Sequence, residues 1–248
     1  MKDKNKRLSP RTWIILFILV FLPMLVMLVI RMESEQPSVS FELPSKFIGL
    51  DKRLEIKLED QKSGLKRFWV AVLQEGKETT LLEKHFPASG ILHKGITISE
   101  SIQINIEPQK IGLKDGKAML RMMAVDYSWK SWGKGNRSYS EREIVIDTEA
   151  PIVRALTHSH NISPGGSNAV VYALSEPCDI SGVQVADHFY PGYPNVEGED
   201  AIRIAFFALD DQQGSGTDIF LLAKDRAGNQ TKTTFPHYIK TKKFKKDT

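Results

Sequence analysis

Three places in the chain carry residue types that could do chemistry. The first is His158-Ser159-His160, a His-x-His run. On an extended backbone residues two apart point the same way, so both imidazoles could reach one metal ion. A hydrolytic zinc centre also needs a third protein ligand and an open position for water. None of the 6 histidines has an aspartate four positions later, so no third ligand stands at motif spacing. His158 and His160 therefore read as a polar loop ahead of Ser163-Pro164-Gly165-Gly166. The second place is Asp225-Arg226-Ala227-Gly228-Asn229. Asp225 and Asn229 offer oxygen to calcium, but two ligands fall far short of the six to eight that ion takes. The same residues make a turn in which Gly228 supplies a positive φ. The third place is an aromatic and basic loop. Tyr127, Trp129, Trp132 and Tyr139 surround Lys130, Lys134 and Arg137. Indole faces stack on sugar rings and cations grip anionic glycans, which makes this loop the candidate binding patch. Cys178 is the single cysteine, so no intramolecular disulfide exists and the thiol reads as a small packing residue.

The elements that would position these residues are short strands. In Leu54-Glu55-Ile56-Lys57-Leu58-Glu59 every second residue is apolar, and Ile102, Ile104 and Ile106 alternate with polar neighbours. Period 2 puts the apolar set on one face of a strand. Further runs fall at Val39–Leu43, Arg67–Leu73, Thr79–Lys84, Lys117–Val125 and Arg142–Ile146. Strands of this number and length suit an immunoglobulin-like sandwich. Asp147-Thr148-Glu149-Ala150-Pro151 breaks the pattern and reads as a stiff linker. A second set follows at Ile152–Leu156, Ala169–Leu174, Gly182–Ala186, Ile202–Leu209, Asp218–Lys224 and Thr231–Phe235. Tyr190-Pro191-Gly192-Tyr193-Pro194 reads as one of the turns between them. Met123-Ala124-Val125-Asp126 has a counterpart in Leu222-Ala223-Lys224-Asp225, as tandem modules require.

Ahead of these modules, Trp13 to Ile30 is an uncharged apolar run between Arg11 and Arg31. Its length as a helix matches the hydrocarbon thickness of a bilayer. Basic residues dominate the first eleven positions, which predicts an uncleaved signal-anchor with a cytoplasmic N-terminus. The net charge of +4 comes from the two ends. The body is mildly acidic, which excludes a nucleic-acid-binding face.

The arrangement as a whole resembles a known family. A basic start and signal-anchor lead into Phe41-Glu42-Leu43-Pro44, then Ser63-Gly64-Leu65 and the Pro151 junction. His160-Asn161-Ile162-Ser163-Pro164-Gly165-Gly166-Ser167, Phe189-Tyr190-Pro191-Gly192-Tyr193-Pro194 and a final Phe244-Lys245-Lys246-Asp247 complete it. This order resembles the N-terminal half of membrane-anchored lysostaphin-type (LytM-type) zinc metallopeptidases of Gram-negative bacteria. The resemblance implies an inner-membrane anchor and periplasmic stalk for a peptidoglycan endopeptidase. It also implies that the zinc, bound through His-x-x-x-Asp and His-x-His, belongs to a catalytic domain absent from these residues. No catalytic residue and no cofactor is expected in the chain itself.

The sequence thus predicts an all-β protein: a basic segment 1–11, a transmembrane helix 12–31, and two immunoglobulin-like β-sandwiches at 37–147 and 151–240. A basic tail 241–248 follows. The expected partners are the inner membrane and either peptidoglycan or envelope proteins, with no nucleic acid. The alternative is a non-enzymatic envelope scaffold whose β-sandwiches bind glycan or protein.

Overall fold

The computed structural model describes residues 10–90, 94–158, 160–194 and 201–242. Lys2, Lys4, Lys6 and Arg7 of the basic start, and Lys243 to Thr248 of the basic tail, lie outside the described residues. The chain begins with one helix, Pro10–Arg31. Its first residue is proline, whose missing N–H costs nothing at a helix start. The helix starts two residues before the expected span and contains Pro23. From Trp13 to Ile30 its side chains are apolar and almost all exposed, with a mean hydropathy of 3.1 over an 18-residue window. Such a helix is long and apolar enough to cross a membrane.

After this helix the described regular structure is β, apart from one short helical turn at Lys130–Gly133. The chain falls into two compact units, one built from residues 1–43, 53–106 and 118–143 and one from 44–52, 107–117 and 144–248. The early strands are β1 (Ser38–Phe41), β2 (Phe47–Ile48), β3 (Lys52–Glu59), β4 (Leu65–Gln74) and β5 (Lys77–His85). A small hairpin, β6 (Ala88–Ser89) with β7 (Lys94–Gly95), precedes β8 (Ser99–Ile106), β9 (Gly116–Asp126) and β10 (Arg137–Ile146). They form a three-stranded sheet, β1-β3-β8, and a five-stranded sheet, β2-β10-β9-β4-β5. The alternation read in the sequence is the reason. Leu54, Ile56 and Leu58 of β3 and Ile102, Ile104 and Ile106 of β8 point inward. Phe68, Val70 and Val72 of β4 and Leu120, Met122 and Ala124 of β9 supply the other sheet's buried face. Each large side chain sealed from water contributes about 1.5–3 kcal/mol.

The later strands are β11 (Val153–Ala155), β12 (His160–Ile162), β13 (Ser167–Leu174), β14 (Cys178–Val185) and β15 (His188–Pro194). They are followed by β16 (Ile202–Ala208), β17 (Ile219–Asp225), β18 (Gln230–Thr234) and β19 (His237–Ile239). Seven of them run in the order β11-β13-β16-β15-β14-β17-β18, and β12 pairs in parallel with β19. Their core joins Val170, Tyr172, Val183, Val185, Phe207, Leu221 and Phe235.

Three sequence readings need correction here. Residues 190–194 are not a turn but most of β15. This strand changes partner along its length: Gly182 to Val185 of β14 pair with its first half, and Gly192 to Pro194 pair with β16. A proline and a glycine suit such a corner, which is why the run imitates a turn. β10 starts at Arg137, five residues before the expected Arg142, so Arg137 and Tyr139 sit on a strand. His160 begins β12 rather than lying in a loop.

Gly192 marks the tightest point of the second unit. A β-carbon there would lie 1.8 Å from Tyr172 Oη, which itself meets Ser181 Oγ at 2.9 Å. Gly192→Ala should destabilise the protein by about 1–3 kcal/mol in urea unfolding. Tyr172→Phe removes the colliding oxygen and should recover part of that loss in the double variant; strictly additive effects would contradict the close approach.

Candidate functional site at the helix exit

The loop from Tyr127 to Asn136 connects β9 to β10. Its equivalent in the later strands is the short turn Arg226–Gly228 between β17 and β18. The two share one hydrogen-bond pattern. Asp126 N–H donates to Asn136 O at 3.2 Å, and Asp225 N–H donates to Asn229 O at 3.1 Å. Asp126 Oδ1 accepts from the amides of Ser128 (2.9 Å) and Asn136 (2.7 Å), while Oδ2 accepts Asn136 Nδ2 at 2.8 Å. Asp225 Oδ1 accepts from the amides of Gly228 (2.7 Å) and Asn229 (2.9 Å), while Oδ2 accepts Asn229 Nδ2 at 2.9 Å. Gly228 has φ +97°, as the short turn requires.

In both places the asparagine amide reaches the segment that leads into the strands. Asn229 Nδ2 donates to Asp147 O at 2.8 Å and Glu149 O at 3.1 Å. Asn136 Nδ2 donates to Glu33 O at 3.3 Å. The first of these segments is the linker read from the sequence; the second is the continuation of the N-terminal helix.

The enlarged loop adds further bonds to that helix. Trp129 N–H donates to Arg31 O at 2.8 Å, and Ser128 Oγ lies 3.3 Å from Arg31 O and 3.1 Å from Glu33 O. Arg31 is buried, donates from Nη2 to Tyr127 O at 3.2 Å and lies 5.5 Å over the Trp129 ring. The carbonyl and the indole face offset part of the cost of burying this guanidinium. Trp129, Trp132, Ser131 and Gly133 then line an apolar groove together with Leu28 and Met32 at the end of the helix. Ser131 (φ +52°) and Trp132 (φ +60°) hold left-handed backbone, a conformation that costs a bulky residue about 1–2 kcal/mol. The strain presents the Trp132 indole fully exposed.

The structure brings the candidate binding residues together only in part. Tyr127 is tied into the fold: its Oη donates to Phe86 O at 2.7 Å, and Lys66 Nζ lies 5.6 Å over its ring. Lys134 and Arg137 line a basic hollow with Lys66, Arg67 and His85. Lys130 lies nearer the helix, its amide donating to Ser128 Oγ at 3.1 Å. Among the described residues, none of Lys130, Lys134 and Arg137 pairs with a carboxylate, whereas Arg67 pairs with Glu83 at 3.2 Å. Tyr139 stands on the strand, bonded to Glu141 at 2.5 Å.

The two histidines are separated by burial. His158 is exposed, while His160 is buried, with Nε2 3.1 Å from Thr157 O and its ring 5.0 Å from Phe235. Cys178 is buried in the core, and burial pushes its thiol up to about 11, which leaves it a packing residue without thiolate character. The partner of Asp126 is what sequence reasoning missed. Asn136 stands ten residues on, against four for Asn229, so the repeat is visible only in hydrogen bonds.

No protein family matches the sequence, and no curated protein does. Solved structures give weak matches. One is the ICAM-5 D1–D4 ectodomain fragment, 13% identical with TM-score 0.32, covering 82% of this chain and 54% of that one. A second is the Bacteroides ovatus mixed-linkage glucan utilization locus SGBP-B in complex with a mixed-linkage heptasaccharide, 17% identical with TM-score 0.26, covering 82% and 47%. A third is titin z1z2 in complex with telethonin, 12% identical with TM-score 0.27, covering 86% and 100%. The chain spans about half the length of the first two. The fold class is all-β: immunoglobulin-like β-sandwich modules behind one N-terminal apolar helix.

Burial is the main force on the Asp126 carboxyl and pushes it above its usual range, with the Asn136 and Ser128 bonds pulling back. Asp126→Ala removes three hydrogen-bond acceptances at once. It should cost about 2–3 kcal/mol in denaturant unfolding of the full chain, because it leaves buried amides unpaired. A change within about 0.5 kcal/mol would contradict a structural role for the clamp.

Proposed function

We propose that this chain is a membrane-anchored stalk of the bacterial envelope, with its N-terminus in the cytoplasm and its β-modules outside the inner membrane. The observation that carries the proposal is the docking of the helix end onto the loop after β9, through Trp129 N–H to Arg31 O and the Arg31 guanidinium over Trp129. The apolar surface of the helix runs directly into the groove of Leu28, Met32, Trp129 and Trp132. An exposed indole beside the end of a spanning helix belongs at the headgroup level, where its ring is apolar and its N–H is wet. Lys130, Lys134 and Arg137 carry the charge that anionic lipid attracts. The aromatic and basic loop then seats the first module on the membrane surface, in place of the glycan patch its composition suggests.

The arrangement of anchor, paired modules and basic end supports the finer reading by resemblance: a stalk of the lysostaphin type that serves a peptidoglycan endopeptidase. On that reading zinc and hydrolysis belong to another domain, and this chain contributes attachment and spacing.

The membrane seat is open to direct test. In a Trp13→Phe/Trp69→Phe background, Trp129 and Trp132 are the only indoles left. The full chain in vesicles should show blue-shifted emission that is quenched by lipids brominated near the headgroup end of the acyl chain. Adding Trp132→Phe should remove most of that quenching. Solvent-like emission untouched by brominated lipid would sink the membrane-surface role and return the loop to soluble ligands.

A further inference from the structure

At the helix exit the carboxylates of Glu33, Asp60 and Asp126 converge, with one oxygen of each within 4.8 Å of the others. Asp60 and Asp126 are buried and well supplied with donors. Asp60 Oδ1 accepts from the amides of Lys62 (3.1 Å), Ser63 (2.9 Å) and Gly64 (2.8 Å). Glu33 is different. Both of its carboxylate oxygens are sealed from solvent and take no hydrogen bond. Asn136, only 4% exposed, lies between two of the three acids: its Nδ2 bonds Asp126 Oδ2 and Glu33 O, and its Oδ1 is also sealed and unpartnered.

Three orphaned oxygens at one place are costly, because a buried acceptor without a donor loses its hydration for nothing. Lys62 is taken by Glu35 at 2.6 Å in an exposed pair, and Arg31 donates to Tyr127 O and lies over Trp129. A comparison inside the molecule sharpens the point. Asp147, Glu176 and Asp225 occupy the same three places in the later strands: leading segment, turn before the next strand, and end of the penultimate strand. There the matching amide oxygen, Asn229 Oδ1, accepts Leu50 N–H at 3.3 Å, and among the described residues none of those three acids has a sealed oxygen without a partner. The helix-exit cluster also has three acids, but there the Glu33 oxygens and Asn136 Oδ1 are left unfilled.

We propose that Glu33, Asp60 and Asp126, with Asn136 Oδ1, form a binding site for a divalent hard cation, calcium, at the joint between the helix and the first module. All candidate ligands are oxygen, which selects calcium or magnesium over zinc and copper. Calcium tolerates irregular geometry and completes its shell with water, whereas magnesium demands a near-ideal octahedron. One ligand comes from the segment leaving the helix, one from the turn after β3 and two from the β9–β10 hairpin. The ion would therefore cross-link the membrane anchor to the module.

The test uses the full chain in nanodiscs of zwitterionic lipid, which keeps anionic headgroups from competing. Calcium binding is measured by equilibrium dialysis and by the thermal unfolding midpoint, for wild type, Glu33→Gln and Glu35→Gln. Modules of this kind hold calcium at about 0.1–1 mM. Wild type and Glu35→Gln should bind with that affinity and melt higher with calcium. Glu33→Gln is nearly isosteric and breaks no hydrogen bond of its carboxylate. It should keep a native circular dichroism spectrum, bind one equivalent less, and lose most of the calcium-dependent rise. Wild type that binds no calcium at 10-fold above the ~1 mM limit overturns the proposal. So does Glu33→Gln that binds as wild type does, or one that melts higher than wild type with no calcium response.

Discussion

Each half of this protein depends on one buried carboxylate at the end of its penultimate strand. Asp126 and Asp225 each close a hairpin through two backbone amides and one asparagine side chain, and that asparagine grips the chain arriving from the previous element. A sandwich of short strands has no helix to pin its ends. The clamp does that work. For the later strands the gripped segment is Asp147 to Glu149. For the earlier strands it is Arg31 to Glu33, where the helix ends.

The same hairpin has been put to two uses. Between β17 and β18 it is a minimal turn that only holds. Between β9 and β10 it is enlarged, and the added residues are Tyr127, Trp129, Lys130, Trp132 and Lys134, whose chemistry suits a lipid surface. The left-handed backbone at Ser131 and Trp132 fits this picture, since strained backbone persists where the surrounding structure and a function hold it. The proposed anchor, the proposed membrane seat and the acidic cluster all meet at the helix exit.

The fold was largely legible because it rests on period-2 alternation, and the strands around Leu54, Ile104, Leu120 and Leu221 fall where that pattern puts them. β15 was not, because a strand that turns a corner between two partners uses proline and glycine and so looks like a loop. The aromatic and basic loop was visible as composition. Its contact with the helix was not, since nothing local shows that Trp129 hydrogen-bonds to Arg31, 98 positions away by the numbering. Asn136 and Glu33 were silent for the same reason: their partners are set by tertiary folding.

Amide hydrogen exchange of the full chain in nanodiscs reaches the central claim, that the helix exit is locked onto the first module. The Trp129 and Asn136 amides, bonded to Arg31 O and Asp126 Oδ1, should exchange as slowly as the buried strand amides around Ala124. Exchange of Trp129 at the rate of an open loop, beside protected β9 amides, would show that helix and module are merely tethered.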